Sequence, residues 1–287
     1  MRFFNRPGLC LALCGLAVVA GCGGSGGGAS ISTISATPPR YSQSLTLSLF
    51  GQGLDTGIEV TVDGPCSSVA VVAGATSASA QYTCLVTGLG PMTARVRSTD
   101  TRAELGSIKL ETLAPRVSFT VTDGVRTGAF TVELDPVKAP LSTDNFLAYV
   151  NGSFYSNVIF HRVIDNFVVQ AGGYVSGPNT KAATRPAIKL ESNNGLKNLR
   201  GSIAMARTSV PDSATSQFYL NVKDNPGLDF GSFDNPDGYA VFGSVVQGQE
   251  VIDEIKIVPT RALKTTLLDL PNLPVTDVRI ILARQIQ

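Results

Sequence analysis

One arginine stands in the middle of an otherwise apolar strand pattern. The segment from Phe160 to Gln170 predicts two short strands around an Asp-Asn turn, with Arg162 inside the first strand. A guanidinium is costly to bury alone, so an arginine in these surroundings needs an acidic partner or a chemical task. Gln170 adds an amide to the same region. An arginine, an amide and apolar walls form a site that can hold an uncharged ligand and direct hydrogen-bond donors at it.

A second segment supplies further polar groups at strand spacing. Residues 207–215 predict a polar loop, and residues 217–222 predict a strand. Because side chains alternate along a strand, Gln217 and Tyr219 share one face of it. A last strand of this region is predicted from Tyr239 onward. The face that carries the amide and the aromatic ring is therefore a candidate extension of the site around Arg162.

Three motifs in this order resemble the cyclophilin family of peptidyl-prolyl isomerases, and especially its bacterial periplasmic members. They are FHRVI followed by Phe167 and Gln170, AMAR followed by SQF, and YAVFG followed by Val245 and Gly248. The resemblance covers residues 115–287. It implies a closed eight-stranded antiparallel barrel with two helices, whose interior is packed so that the substrate lies on the outer wall.

The resemblance also implies the roles of single residues. Arg162 matches the catalytic arginine of the family. The other matches are the walls and floor of a proline pocket and the groups that bind the peptide backbone, namely Phe167, Val168, Gln170, Ala206, Arg207, Gln217, Tyr219, Leu228 and Tyr239. Two positions depart from the family pattern: Gly227 replaces an aromatic residue, and Tyr219 replaces a phenylalanine.

These residues suit rotation about X–Pro bonds. That rotation faces a barrier of about 18–20 kcal/mol because amide resonance is lost in the twisted state. The twisted prolyl nitrogen becomes a hydrogen-bond acceptor, so a donor aimed at it stabilises the transition state selectively. The reaction needs no nucleophile, proton transfer, metal or cofactor, and an always-protonated arginine suits it. We therefore expect a peptidyl-prolyl cis-trans isomerase that acts on exported proteins through Arg162.

The N-terminus has the features of a lipoprotein signal. Two arginines precede an apolar run over residues 9–20, which is too short to span a bilayer as a helix of about 20 residues. The run ends in VAGC, which resembles the lipobox of bacterial lipoproteins, where the cysteine, here Cys22, is lipidated. Gly23 in place of Asp implies, by the same resemblance, the periplasmic face of the outer membrane. An ordinary secretory signal that is cleaved nearby is the alternative.

Composition and strand spacing divide the chain into four parts. We assign residues 1–22 to the signal segment, 23–30 to a Gly/Ser tether, 31–112 to a small Ig-like β-sandwich and 113–287 to the cyclophilin-like domain. The expected fold class is therefore mainly β. In the last part, a helix is predicted over residues 145–151, with Ser142, Thr143 and Asp144 as its caps.

The predicted export of the chain also bears on the chemical state of its cysteines. Cys10 and Cys14 lie in the signal segment, and Cys22 is the lipid acceptor, which leaves Cys66 and Cys84. An even pair in an oxidising compartment predicts a disulfide, with two reduced buried thiols as the alternative. A single histidine and two remaining cysteines make a zinc site improbable, and we expect no metal and no cofactor.

The charge and the anchor indicate which partners to expect. A formal net charge of +1 gives no sign of nucleic-acid binding. We expect proline-containing polypeptides as partners, the membrane as a partner through the N-terminal lipid, and a monomeric chain.

Other interpretations of the same residues stay open at this point. Arg162 could be a structural arginine held in an ion pair. His161 is expected to be structural, because strand alternation directs it away from Arg162. The second functional hypothesis is a catalytically weakened proline-peptide binding or chaperone-like module on the cell envelope. Gly227 and Tyr219 favour it slightly, whereas the intact arginine and amides favour the enzyme.

The lipobox generates the first prediction. Replacement of Cys22 by serine removes the acceptor thiol, so the variant is expected to be soluble or unprocessed, because stable anchoring depends on attached lipid chains. Membrane fractionation after a high-salt wash measures this. A Cys22→Ser protein that is fully cleaved and still sediments with membranes contradicts the lipoprotein assignment.

Overall fold

The computed structural model describes residues 28–266 and 268–287, together with the backbone of Leu16–Val18. The chain divides into two units, Met1–Leu113 and Ala114–Gln287. Cys22, with most of the predicted signal segment and tether, lies outside the described residues. Within the described part, no helix has both the length and the apolar character needed to cross a membrane.

Two antiparallel sheets build the first unit. Their strand orders are β1-β2-β3-β6-β5 and β4-β7-β8. The strands are β1 Leu16–Val18, β2 Ser30–Ala36, β3 Ser44–Gln52, β4 Ile58–Asp63, β5 Ala70–Val71, β6 Ser79–Leu85, β7 Gly90–Ser98 and β8 Glu104–Thr112. Alternate residues of β3, such as Leu45 and Leu47, are buried and share one core with Met92 and Val96 of β7. The two inner faces thus pack against each other as a sandwich.

A disulfide joins Cys66, in the loop after β4, to Cys84 on β6. Cys84 is buried in the core that the two sheets share. The two cysteines are separated by 18 positions in the sequence. In the chain-entropy model, a cross-link over a loop of this length stabilises a fold by about 3 kcal/mol.

The second unit is a closed antiparallel barrel. Its strand order is β11-β19-β9-β10-β16-β14-β15-β12, and β12 pairs back to β11. Its elements are β9 Arg116–Thr122, β10 Thr127–Leu134, α1 Pro140–Asn151, β11 Val158–Val163, β12 Val168–Val175, β14 Ser202–Met205, β15 Phe218–Asn221, β16 Val241–Gln247, α2 Gln249–Lys256 and β19 Arg279–Gln285. The predicted mainly β fold, with an eight-stranded barrel and two helices, is confirmed.

Smaller elements decorate this barrel. They are the short strand β13 Asn179–Thr180 beside β12, the hairpin of β17 Thr260–Lys264 and β18 Asp269–Pro274, and two short 3-10 helices, Pro211–Ser213 and Pro226–Leu228.

Aromatic rings fill the interior of the barrel. Phe119 and Phe130 stack with their ring centroids 4.7 Å apart. Phe146 of α1 contacts the rings of Phe119, Phe218 and Phe242 at centroid distances of 6.2, 5.4 and 5.1 Å. All of these rings are fully buried. Because side chains occupy the interior at this density, a ligand has to bind on the outer wall.

Helix α1 begins earlier than its sequence predicted. The predicted caps, Ser142–Asp144, lie inside the helix, so that assignment is wrong. The helix begins at Pro140, and the carboxylate of Glu191 accepts hydrogen bonds from the backbone N–H groups of Leu141 and Ser142 at 2.9 and 2.7 Å. The first backbone N–H groups of the helix are therefore satisfied by a carboxylate about 50 residues further along the chain, and not by a local capping side chain.

Candidate functional site

Arg162 lies on β11, where this strand pairs with β12. It is opposite Gln170 in the register, and its Nη1 donates a hydrogen bond to Oε1 of Gln170 at 3.4 Å. Its Cζ lies 5.4 Å from the centroid of the Phe167 ring. No carboxylate among residues 28–266 and 268–287 forms an ion pair with it. The ion-pair alternative thus lacks an acidic partner in the described structure.

Partial burial sets the electrostatics of this arginine. Burial lowers the pKa of Arg162, and interaction with Tyr239 opposes the decrease. Since an arginine starts from a pKa above about 12, it stays protonated at neutral pH. A charged donor that is partly withdrawn from water makes stronger hydrogen bonds to a ligand than a fully solvated one.

Two amides continue from Arg162 along the barrel wall. The Nε2 of Gln170 donates to Oε1 of Gln217 at 2.9 Å. Gly173 makes room for the second amide, since a Cβ at this position would lie 2.6 Å from Nε2 of Gln217. The predicted residues Arg162, Gln170 and Gln217 are thus brought together as one hydrogen-bonded chain, which fixes the orientation of both amides.

An apolar cluster adjoins this polar chain through Phe167. Val168 and Tyr219 are its buried predicted members, and the ring centroids of Tyr219 and Tyr239 meet edge to face at 5.7 Å. The other predicted members are partly buried, namely Phe167, Ala206, Leu228 and Tyr239. Sequence reasoning did not single out the remaining members, Ala204, Leu196 and Val241. The structure therefore gathers the predicted pocket residues on one patch of the outer wall.

A buried asparagine network supports the floor of this patch. The hydroxyl of Tyr219 donates to Oδ1 of Asn198 at 2.7 Å. Asn198 in turn donates through Nδ2 to the carbonyl of Leu228 at 3.0 Å and to Oδ1 of Asp229 at 3.1 Å. Burial raises the pKa of Tyr219 well above its usual range, so the hydroxyl stays protonated and donates. The extra hydroxyl at position 219 therefore has a partner and connects the floor to the rim.

Two further asparagines extend the network behind the pocket. Nδ2 of Asn221 donates to Oδ1 of Asn198 at 3.2 Å, and Nδ2 of Asn225 donates to the carbonyl of Phe167 at 2.9 Å. Sequence reasoning missed these residues. The only signal in the chain was the density of asparagine around otherwise apolar strands, which does not by itself indicate which side chains turn inward.

The segment at Ala206 and Arg207 is engaged by the protein itself. The backbone N–H of Ala206 donates to the carbonyl of Gln217 at 3.0 Å. The guanidinium of Arg207 donates to the carbonyl of Gly238 and to Oδ1 of Asn235 at 2.8 and 2.9 Å, and its Cζ lies 4.6 Å from the Tyr239 ring centroid. The Arg207 side chain therefore holds the loop beside the pocket, whereas its predicted contact with a peptide remains a prediction.

Gly227 leaves one side of the rim open. The residue is exposed, and a Cβ built on it would have no atom within 4 Å. The position where the family resemblance implies an aromatic side chain is therefore open to solvent.

His161 is buried on the same strand as Arg162. Its ring centroid lies 4.5 Å from that of Tyr174, and its Nδ1 has no hydrogen-bond partner in the described structure. Burial lowers the pKa of His161 to about 4, and hydrogen bonding by the backbone of Ile159 and, to a lesser extent, by the Gln217 side chain opposes the decrease. The imidazole is therefore neutral at physiological pH, as a structural histidine would be.

Comparison with known proteins places residues 116–283 in one family, described as "Cyclophilin type peptidyl-prolyl cis-trans isomerase/CLD". Peptidyl-prolyl cis-trans isomerase A of Dickeya dadantii is 56% identical over 133 residues, which is 46% of this chain and 68% of that protein. Peptidyl-prolyl cis-trans isomerase B of Escherichia coli is 53% identical over 124 residues, which is 43% of this chain and 75% of that protein.

A crystal structure is similar to part of the chain as well. It is a cyclophilin type peptidyl-prolyl cis-trans isomerase of Cryptosporidium parvum, with a TM-score of 0.48 and 22% sequence identity. The similar region covers 61% of this chain and 99% of that one.

The floor network generates the second prediction. Tyr219→Phe keeps the ring and removes the hydroxyl, so Asn198 holds the rim less firmly. We expect a loss of about 1 kcal/mol in the free energy of unfolding and a fall in kcat/KM of about two- to fivefold. Urea denaturation and an X–Pro isomerisation assay measure the two effects. Tyr82→Phe, in the first unit, is the matched control and should leave kcat/KM unchanged; equal rates in both variants would show that the Tyr219 hydroxyl is dispensable.

Buried His161 generates the third prediction. Its folded-state pKa of about 4 lies below the unfolded value of about 6.5, so the unfolded chain binds the proton first as the pH falls. Stability from this group is complete above pH 6.5 and decreases as the pH falls towards 4, by about 2 kcal/mol at pH 5. Urea titrations of wild type and His161→Gln at pH 7 and pH 5 measure the difference, which the variant should lack.

The isomerisation rate is expected to be nearly flat across mild pH, since a neutral imidazole takes no part in the reaction. A step in kcat/KM near pH 6.5 that His161→Gln abolishes would instead assign catalysis to this histidine.

Proposed function

The chain belongs to the cyclophilin-type peptidyl-prolyl cis-trans isomerase family and is an isomerase, and from that premise we propose that Arg162 accelerates X–Pro rotation in exported polypeptides. The observation that carries the proposal is the state of its guanidinium. It is half-buried, it has no described carboxylate partner, and its described hydrogen bond goes to a neutral amide. Donors therefore remain for a ligand in the pocket beside Phe167.

The chemistry follows from the electronic state of the amide. In the planar bond, resonance occupies the nitrogen lone pair, and that atom accepts no hydrogen bond. Rotation localises the lone pair, so a donor from Arg162 binds the twisted state and not the planar one. A rate gain of about 10⁶ requires the barrier to fall by roughly 8 kcal/mol. One donor supplies part of this, and positioning of the peptide supplies the rest.

The apolar cluster is the proposed seat of the proline ring. Val168, Phe167 and Leu228 offer apolar surface, and the Tyr219 ring forms the floor. A bound pyrrolidine ring would lie against these side chains while the bond that precedes it faces Arg162. Confinement of the ring leaves the acyl side of the peptide as the part that turns.

The amides serve two purposes in this proposal. Gln170 orients Arg162 without neutralising it, because an amide oxygen accepts a hydrogen bond but carries no full charge. Gln217 orients Gln170, and the remaining amide hydrogens are donors for carbonyl groups of the peptide backbone. Substitution of either amide should therefore weaken both catalysis and peptide binding.

We further propose that the enzyme works at the periplasmic face of the outer membrane. The lipobox at Cys22 and the Gly/Ser segment after it support this location, as does the Cys66–Cys84 disulfide, since disulfides persist in oxidising compartments. Lipid anchorage on a flexible tether would let the site reach unfolded segments of exported proteins near the membrane surface.

One observation favours the second hypothesis, a proline-peptide binding or chaperone-like module with weakened turnover. The open space at Gly227 removes one wall of the pocket, so a bound proline would be less confined. A protease-coupled assay on a short Ala-Pro peptide separates the two functions, because only the enzyme shortens the isomerisation time of about 10–100 s.

Arg162 generates the fourth prediction. Arg162→Ala should lower kcat/KM by about 10²–10³, the scale for removal of one preorganised donor, with a much smaller change in peptide binding. Arg162→Lys should also be slow, because a flexible point charge does not reproduce the planar fork. Kinetics and calorimetric titration of the same peptide measure the two quantities.

The exposed Arg261 provides the matched control, since Arg261→Ala removes the same charge from the hairpin β17–β18. Wild-type kcat/KM in Arg162→Ala, with peptide binding intact, would mean that another group stabilises the twisted amide.

A further inference from the structure

One surface loop begins and ends next to residues of the proposed proline pocket. We define the rim loop as residues 229–238, between Leu228 and Tyr239, which both belong to the apolar cluster of the site. The backbone N–H of Tyr239 donates to the carbonyl of Leu228 at 2.9 Å and closes the base of the loop. The rim loop is therefore continuous with the proposed binding site.

The rim loop is held by its own hydrogen bonds and by a neighbouring segment. The N–H of Gly231 donates to the carbonyl of Pro236 at 2.8 Å, and Oγ of Ser232 donates to the carbonyl of Gly227 at 2.9 Å. Arg207 reaches across to bind the carbonyl of Gly238 and the side chain of Asn235. A loop fixed in this way loses little conformational freedom when a ligand binds to it.

The rim loop presents apolar surface to the solvent. The side chain of Phe233 is 100% exposed, and that of Phe230 is 47% exposed. Phe233 is five residues from Leu228, so it lies within about 18 Å of the pocket edge even for a fully extended chain. An extended peptide covers the same distance in about five residues. An aromatic side chain at this place can therefore contact a client chain whose proline occupies the pocket.

The rim loop also carries negative charge. Asp234 and Asp237 are exposed, and no lysine or arginine occurs from 229 to 238. Neither carboxylate takes part in an ion pair among the described residues, whereas Asp229 lies 3.5 Å from Nζ of Lys197 and faces Asn198. The two outer carboxylates thus place unpaired negative charge on the loop that carries the exposed ring, since Arg207, the cation that binds this loop, donates to Asn235 and Gly238 and forms no described ion pair with either carboxylate.

We propose that the rim loop is a second recognition surface for the client polypeptide. It selects segments with an apolar side chain and a lysine or arginine within about five residues of the proline. The apolar side chain packs on Phe233, and the basic one faces Asp234 and Asp237. This inference rests on the proposed function, because it assumes that the proline occupies the pocket beside Arg162.

A set of matched peptides tests the proposal. Each contains Ala-Pro and differs only three to five residues away from the proline: Leu with Lys, Leu with Glu, Ser with Lys, or Ser alone. Exchange spectroscopy by NMR measures kcat/KM without a coupling protease and its own sequence preference. At low salt the Leu-Lys peptide should react about two- to fivefold faster than the Leu-Glu peptide, and added salt should reduce the ratio.

Two variants assign the preference to the rim loop. Asp234→Asn with Asp237→Asn should bring the Lys-to-Glu ratio close to one, and Phe233→Ser should remove the advantage of Leu over Ser. Asp55→Asn and Val125→Ser are the controls, since both residues are exposed and lie outside the rim loop and the pocket cluster. The rate on the Ser-only peptide should stay unchanged in every variant, which separates lost recognition from lost folding.

The outcomes distinguish this inference from the proposed function. Turnover of all four peptides at one rate, by wild type, overturns the rim-loop inference and leaves the isomerase proposal intact. If the wild type isomerises none of the four peptides, both the rim-loop inference and the isomerase proposal are overturned. A third outcome is that the wild-type chain sediments as a dimer, that Phe233→Ser dissociates the dimer, and that the rate does not depend on the residues beside the proline. In that case the Phe233 ring contacts a second copy of the chain, and the inference is overturned.

Discussion

Half-burial of the Arg162 guanidinium costs solvation free energy that a carboxylate partner would usually offset. In this protein the described partner is the neutral amide of Gln170, with the face of Phe167 nearby. An amide fixes the direction of the side chain but leaves its full positive charge in place. The site thus retains an oriented, charged donor next to an apolar surface, and the rest of the unit can be understood as the means of keeping it there.

Because the interior of the barrel is filled with side chains, the Arg162 guanidinium can meet a ligand only on the outer face of the sheet. The rings of Phe119, Phe146 and Phe218 occupy the interior, and α1 contributes one of them from outside the sheet. Strand alternation then sends Tyr219 outward from β15, while Phe218 points inward. A tightly filled interior resists distortion, so the outer patch keeps its geometry when a flexible peptide binds and turns.

Polar groups behind the patch tie its parts together. The hydroxyl of Tyr219 reaches Asn198, which also holds Leu228 and Asp229 at the start of the rim loop. Arg207 holds the other end of the same loop at Gly238. Floor, rim and loop are therefore coupled through hydrogen bonds, of which the one between Tyr219 and Asn198 is buried and costly to break because water cannot replace the lost partner, while the others are part-buried. This coupling gives the proposed client-recognition surface a fixed relation to the proposed catalytic arginine.

The sequence by itself determined the mainly β class and the strands that carry Arg162 and Gln170, and its resemblance to a family supplied the expected pocket residues; Gln217, predicted to open a strand, lies one residue before β15. Motif order and period-two alternation are local properties, so they survive in a single chain. The tertiary structure decided how distant segments meet. The carboxylate of Glu191 caps the start of α1, a role that the sequence assigned to Ser142, and Oδ1 of Asn198 accepts a hydrogen bond from the hydroxyl of Tyr219. Such hydrogen bonds join groups about 20 to 50 positions apart, and no local pattern records them. Their partners are chosen by chain topology, because a buried donor has to find whichever acceptor the fold brings within reach.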